Sequence, residues 1–170
     1  MQSRFWKLGF VVLGLVIAYA VYQYRQPRFI AGETAPDFTT TLTNGETVRL
    51  SDLRGKYVLL QFWGSWCGPC RAENRHLVPL YEQFHDQGFE IFSIAIESNE
   101  RSWKRAVEMD GLYWKYHTVE YDQFKGPLAR QFNIHSIPTT FLINPDGRIM
   151  GVNLKTDQLE KMLQTALASR

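Results

Sequence analysis

Residues 63–70 read Trp-Gly-Ser-Trp-Cys-Gly-Pro-Cys and hold both cysteines of the chain, Cys67 and Cys70. Two thiols this close can crosslink, help to bind a metal, or exchange disulfides. A pair cannot build a disulfide framework and is too few for a zinc site made of cysteines alone. A mixed zinc site would need His76, His85, His117 or His135, and none stands at convincing ligand spacing. Exchange chemistry fits better, because a CxxC where a strand runs into a helix is a redox signature. Cys67 falls at the start of the helix, where free N–H groups and the dipole favour thiolate over thiol. Pro69 sits in the first turn, where a missing N–H costs nothing. Three residues of helix put the two Cα atoms about 5–6 Å apart, within reach of a disulfide. Cys67 is then the attacking nucleophile, and Cys70, one turn deeper, resolves the mixed disulfide.

The elements that must position this pair follow from the hydrophobic pattern. Residues 57–63, Tyr-Val-Leu-Leu-Gln-Phe-Trp, have strand chemistry without alternation, as in a strand buried on both faces. Residues 70–87 carry Leu77, Leu80, Tyr81 and Phe84 on one helical stripe, and Gly88 closes the helix. A second buried strand spans 89–96, a helix 98–110, a strand 114–121 and a short helix 125–132. Pro138 precedes a strand at 139–143, which turns at Asn144-Pro145-Asp146-Gly147 into 148–154. An amphipathic helix over 156–168 ends the domain, with Thr156 or Asp157 as its N-cap. Ahead of all these, 38–42 and 47–50 flank the turn signal Asn44-Gly45 as a hairpin. The order predicts an α/β fold with parallel strands and an antiparallel hairpin end.

The first 32 residues differ in character. Residues 8–22 run fifteen positions without a charge, and 5–24 give twenty with only Lys7 charged. About 20 mostly apolar residues are needed to cross a bilayer. Lys7 can snorkel, and Trp6, Tyr19, Tyr22 and Tyr24 lie where interfacial rings belong. Arg4 and Lys7 favour a cytoplasmic N-terminus, which exports the domain; Arg25 and Arg28 oppose this weakly. The expected division is an anchor at 1–24, a tether at 25–32 and a domain at 33–170. Ala18-Tyr19-Ala20 also fits a cleavage site, so a signal peptide stands beside the anchor. The leader holds four basic residues and no acid, leaving fifteen basic against seventeen acidic residues in 33–170. The domain therefore lacks the basic footprint of a nucleic-acid binder.

The segment WCGPC, with Ile137-Pro138-Thr139-Thr140 further on, resembles the thioredoxin superfamily. More narrowly, residues 32–167 resemble the membrane-anchored extracytoplasmic thioredoxins of the TlpA/ResA type, a branch related to the AhpC/TSA proteins. The resemblance is carried by Gly32-Glu33-Thr34-Ala35-Pro36-Asp37-Phe38, by Leu50-Ser51-Asp52-Leu53-Arg54-Gly55-Lys56, by FWGSWCGPCRAE, by Ile96-Glu97-Ser98 and by IPTTFLINPDG. It implies a thioredoxin fold, a central mixed sheet flanked by helices, with an N-terminal hairpin and an insertion after the second core strand. It implies that Pro138 is cis against the cysteines and that the Ile137 backbone pairs with substrate. Trp66, Gly68 and Pro69 then complete the docking rim, with Trp63 packed beneath. Thioredoxin proper has a buried Asp six residues before its first active cysteine; here Gln61 stands there and cannot titrate. Glu73 and Glu97 match acidic positions of the ResA-type proteins and are expected to handle the proton and tune Cys70. A right-handed crossover should bring 89–96 beside 57–63, opening Glu97 onto the cysteine edge.

The expected function is a membrane-tethered thiol–disulfide oxidoreductase that reduces exported proteins such as apocytochrome c. The resemblance implies no cofactor beyond the Cys67–Cys70 pair, a membrane-embedded thiol-transfer electron donor, and a monomer whose domain faces the periplasm or the outer side of the cytoplasmic membrane. Alternatives are a peroxiredoxin-like thiol peroxidase, a disulfide isomerase or oxidant, and a redox-inert module. The peroxidase reading suffers because Trp63, Gly64, Ser65 and Trp66 precede Cys67, without the proline and threonine of a peroxidatic loop. His135, three residues before Pro138, is read as a surface residue, with a contact to substrate as the alternative, and Trp103, Tyr113, Trp114, Tyr116 and Tyr121 as core and edge packing.

Overall fold

The strand through residues 57–63 is the centre on which the molecule is built. The computed structural model describes residues 2–25 and 29–168. Helix α1 (Gln2–Arg25) is followed by a two-stranded hairpin, β1 (Thr39–Thr41) and β2 (Thr47–Arg49). The main elements then run β3 (Tyr57–Trp63), α2 (Gly68–Phe84), β4 (Phe89–Ile96), α3 (Glu100–Asp110), β5 (Tyr116–Glu120), α4 (Pro127–Gln131), β6 (Thr139–Ile143), β7 (Ile149–Val152) and α5 (Thr156–Ala168). They form one five-stranded sheet in the order β5-β4-β3-β6-β7. β4 lies parallel to β3, as the crossover rule requires, and β5 parallel to β4. β6 and β7 are antiparallel to their neighbours. This is a thioredoxin-like fold, and α3 with β5 is the insertion after the second core strand.

Every residue of β3 and β4 is buried, which explains the unbroken apolar runs. Alternation then sends side chains into two layers. Val58, Leu60 and Phe62 pack with Phe38, Leu128 and Phe132. Leu59 and Trp63 pack with Cys70, Leu77, Leu80, Trp103 and Leu163, under α2, α3 and α5. Phe132 meets Phe29, Phe38, Phe62 and Phe141 at 5.5–5.9 Å between ring centroids. Truncating so central a ring to alanine costs about 3–5 kcal/mol.

Two details depart from the sequence reading. The packed chain begins ahead of residue 33: Phe29 is edge-on to Phe132, and the Gly32 N–H donates to the Ile149 carbonyl at 2.8 Å. Pro27 and Arg28 of the expected tether lie outside the described residues, as do the side chains of Arg4, Lys7, Tyr24 and Arg25. Helix α5 starts at Thr156 itself, with the Lys155 N–H held by the Gln158 side chain at 3.1 Å, so neither Thr156 nor Asp157 is the cap. Along α1, Phe10, Val11, Val12, Leu13, Leu15, Val16 and Ile17 are exposed. Among the described residues, no helix is long and apolar enough to cross a membrane.

Candidate active site

The end of β3 and the start of α2 bring the two cysteines together. Cys67 is the N-cap of α2 and Pro69 lies in its first turn. The sulfurs form a disulfide, with the Cα atoms 5.3 Å apart, inside the separation read from helical spacing. Cys70 is fully buried and Cys67 is 6% exposed, so any approach is to Cys67. The Cys70 N–H lies 3.2 Å from the Cys67 sulfur. A thiolate formed there on reduction meets a main-chain donor and the positive end of α2.

Gly68 and Pro69 are exposed, while Ile137 and Pro138 are half-buried. The Ile137–Pro138 bond is cis. Trp66 is 53% exposed, yet its ring is fixed, because its indole N–H donates to the Ile96 carbonyl at 2.8 Å. Phe124 meets that ring edge-on at 6.3 Å. Trp63 is buried beneath, as read from the sequence. Gly64 makes this packing possible. A Cβ there would stand 2.9 Å from the Trp66 indole nitrogen, 3.0 Å from the Ile96 carbonyl oxygen and 3.1 Å from the Ile137 side chain.

The two glutamates singled out in the sequence are held in different ways. Glu97 is 1% exposed, and its carboxylate accepts the backbone N–H of Ser65. Glu73 lies on α2 with Oε2 buried and unpartnered among the described residues. Burial pushes its carboxyl above the ordinary range, and a hydrogen bond from Gln61 partly offsets this. Gln61 is itself fixed, donating to Asn74 at 2.9 Å and accepting from Ser93 at 3.0 Å. Trp114 donates in turn to Ser93 at 2.9 Å. A buried polar chain therefore runs from the insertion to the residue behind the cysteines.

The sequence reading missed the other end of that chain. Asn74 donates to Asp110 at 2.9 Å, and Asp110 takes both Nε and Nη2 of Arg71. Arg71 also reaches the Ser65 carbonyl at 3.5 Å. The signal was present, since Arg71 follows Cys70 directly, but its partner lies 39 residues away. His135 is part-buried, with Nε2 3.0 Å from the Asn133 side-chain oxygen. Trp103 and Trp114 are core residues, whereas Tyr113 and Tyr121 are exposed. Among the described residues, no group of three His, Cys, Asp or Glu side chains is placed to hold a metal.

Comparison with known proteins gives consistent likenesses. The AhpC/TSA family matches over residues 31–152. The thiol-disulfide oxidoreductase ResA of Geobacillus kaustophilus is 33% identical over 161 residues, 91% of this chain and 90% of the relative. The thioredoxin domain of a thiol-disulfide oxidoreductase from Bacteroides vulgatus superposes with a TM-score of 0.73 at 31% identity, covering 82% of this chain and 99% of that one. A thiol:disulfide interchange protein from Bacteroides sp. gives 0.71 at 33% identity, covering 81% and 90%.

Proposed function

The chain belongs to the AhpC/TSA family as a thioredoxin-like thiol–disulfide oxidoreductase, and from that premise we propose that it reduces the disulfides of exported proteins while tethered to a membrane by α1. One observation carries the reading. Cys67 is the part of the disulfide that keeps some exposure, while Cys70 is wholly buried; Trp66, Gly68, Pro69, Ile137 and Pro138 are its proposed docking rim, all exposed or half-buried. That asymmetry suits an unfolded or extended polypeptide laid across the rim, with apocytochrome c as one such substrate. A membrane-embedded thiol-transfer protein is the proposed source of electrons.

The reduced pair acts in two balanced steps. The Cys67 thiolate attacks a substrate disulfide; one S–S bond breaks, a mixed disulfide forms, and the departing thiolate takes a proton. Cys70 then loses its proton and attacks the Cys67 sulfur. The mixed disulfide breaks, the substrate leaves as a dithiol with two electrons gained, and the Cys67–Cys70 disulfide remains. Glu73, the partly desolvated carboxyl on α2, is the proposed acceptor for the Cys70 proton. Glu97 is proposed to position the loop through Ser65.

The tether rests on the exposed apolar side chains of α1 and on the twenty-residue run that contains them. The domain is placed outside the cytoplasm, at the periplasm or the outer face of the membrane. Full-length protein should sediment with membranes and resist carbonate, whereas a chain beginning at Arg28 should stay soluble and active. A mature N-terminus at Val21 in the soluble fraction would show cleavage instead. For the chemistry, Cys67→Ser should abolish insulin disulfide reduction, and Cys70→Ser should accumulate mixed disulfides. Turnover of hydrogen peroxide in place of insulin would move the assignment to a thiol peroxidase.

A further inference from the structure

Arg71 and Asp110 each stand at the helix end that disfavours their charge. Arg71 is the fourth residue of α2, close to its unpaired N–H groups and positive pole. Asp110 is the last residue of α3, just before the left-handed Gly111, where the final carbonyls present negative charge. Neither position serves its own helix. The two meet as a bidentate pair, with Nε and Nη2 of Arg71 donating to Oδ2 and Oδ1 of Asp110. Asn74 supplies Asp110 with a further donor. The Asp110 side chain is only 7% exposed, so its charge acts on its immediate neighbours.

Those neighbours include the reacting sulfur's own turn. Arg71 lies four residues after Cys67, and its backbone N–H bonds the Cys67 carbonyl at 3.1 Å. Side chains at that spacing share a helix face. The same guanidinium reaches the Ser65 carbonyl, two residues ahead of Cys67. An unbalanced cation here would add to the helix dipole in stabilising the Cys67 thiolate. A dithiol stabilised in this way holds its electrons more tightly, which makes the disulfide a stronger oxidant. A carboxylate clamped onto the guanidinium cancels most of that effect.

We propose that Asp110 is a positioning residue of the exchange reaction: it holds the Arg71 guanidinium, balances its charge beside Cys67, and so keeps the cysteine pair reducing. The proposal rests on the dithiol function above, and it gives the inserted helix α3 a task. The equilibrium it sets is explicit. The Cys67 thiolate and Cys70 thiol give up two electrons and one proton to form their S–S bond, while a partner disulfide takes both electrons and that proton to become one thiol and one thiolate, and the thiolate takes a second proton from water where its pKa lies above the pH. The other ionisable groups around the site are Glu73 on α2, Glu97 after β4 and His135 ahead of Pro138. All three are common to every variant below.

The test uses full-length protein and the variants Asp110→Asn, Arg71→Gln and their combination. The Cys67 thiolate is titrated by its alkylation rate with iodoacetamide against pH, and the dithiol is equilibrated with glutathione. Neither readout needs a protein substrate. Asp110→Asn should raise the thiolate fraction below the Cys67 midpoint by about tenfold, the size of one charge at helix-face distance. Measured above that midpoint, where reduced Cys67 is thiolate, its glutathione equilibrium should move about tenfold towards the dithiol, which corresponds to about 30 mV. Arg71→Gln should not raise the thiolate fraction, and the double variant should return to within about threefold of wild type because the net charge is restored. If Asp110→Asn lowers the melting temperature but leaves both readouts within twofold, Asp110 only staples α3 to α2 and the proposal falls. If Asp110→Asn does not fold, the comparison moves to Arg71→Gln and Arg71→Lys. Identical titrations in that pair overturn the proposal, and a higher thiolate fraction in the lysine variant supports it. Wild-type protein that equilibrates with glutathione but reduces no protein disulfide would overturn the proposed function while leaving this result standing.

Discussion

The backbone N–H of Ser65 donates to the carboxylate of Glu97. The carbonyl of the same residue faces Arg71, so the loop leading to Cys67 is gripped on both sides. A buried carboxylate whose partner is a main-chain donor holds a shape. Glu97→Gln keeps an oxygen acceptor and should retain kcat/KM for insulin reduction within about threefold. Glu97→Ala leaves the Ser65 N–H without that acceptor, at about 1–3 kcal/mol of stability, and should slow reduction about tenfold. Thermal melts and steady-state kinetics on both variants check this. Equal losses in Gln and Ala would mean that the charge, not the acceptor, is what the loop needs.

Glu73 carries the opposite expectation. Its carboxyl is raised by burial, so above that raised pKa the folded protein bears the cost of a desolvated charge. The folded state binds the proton more tightly than the unfolded chain, so this group's contribution to stability falls as pH rises through the window between the two values. Glu73→Gln should therefore raise the melting temperature at pH 7, with no gain at pH 3. The same variant should lose one limb of the pH–rate profile of reduction and slow it by up to about 10²-fold, the range of general acid–base groups. An unchanged pH–rate profile would remove Glu73 from proton transfer.

Gly64 is required for room. Gly64→Ala forces a methyl between the Trp66 indole nitrogen, the Ile96 carbonyl and the Ile137 side chain. The fold should survive if the Trp66 ring swings away, releasing its hydrogen bond, and the Ile96 carbonyl and Ile137 side chain give by a few tenths of an ångström. The indole N–H resonance of Trp66 should shift to a solvent-exposed value. KM for a protein substrate should rise about tenfold, with glutathione equilibration little altered. A rise in KM without movement of that resonance would show that Trp66 is not what the methyl displaces.

His117 sets an acid limit on the fold. Its ring stacks on Trp114 at 5.6 Å between centroids, and neither nitrogen has a hydrogen-bond partner among the described residues. Burial pushes its pKa down to about 4, and the opposing influence of the Leu112 backbone falls short of a formed bond. Between about pH 6.5 and 4 the unfolded chain takes a proton that the folded one refuses, so stability falls as pH falls through that window. The full difference is about 3 kcal/mol. His117→Phe keeps a ring against Trp114 and should flatten the acid side of the melting curve. A parallel pH dependence in wild type and variant would assign the acid sensitivity elsewhere.

The chemistry and the frame that carries it were legible because they are local. WCGPC after a buried strand announces itself through residue type and a spacing of three. The strands at β3 and β4 follow from unbroken apolar runs, and the turn at Asn44-Gly45 from a residue that adopts a φ of +89° without strain. The pairing of β3 with β4 needed only the handedness of a crossover. Helix α2 was visible even though Pro79 lies inside it, because Leu77, Leu80, Tyr81 and Phe84 still mark a buried face.

What the sequence left open depends on partners far apart along the chain. Glu97 reads as an acid at the end of a strand; only its approach to Ser65, 32 residues earlier, makes it the brace of the loop. Arg71 and Asp110 stand at helix ends that disfavour their charges, and each makes sense only across the 39 positions that separate them. Gln61 reads as a missing acid, until Ser93 and Asn74 fix its amide beside Glu73. Local pattern reports which face of an element is apolar, because burial follows the period of the backbone. Hydrogen bonds between side chains have no such period, so the tertiary structure alone decided which polar groups would meet around Cys67 and Cys70.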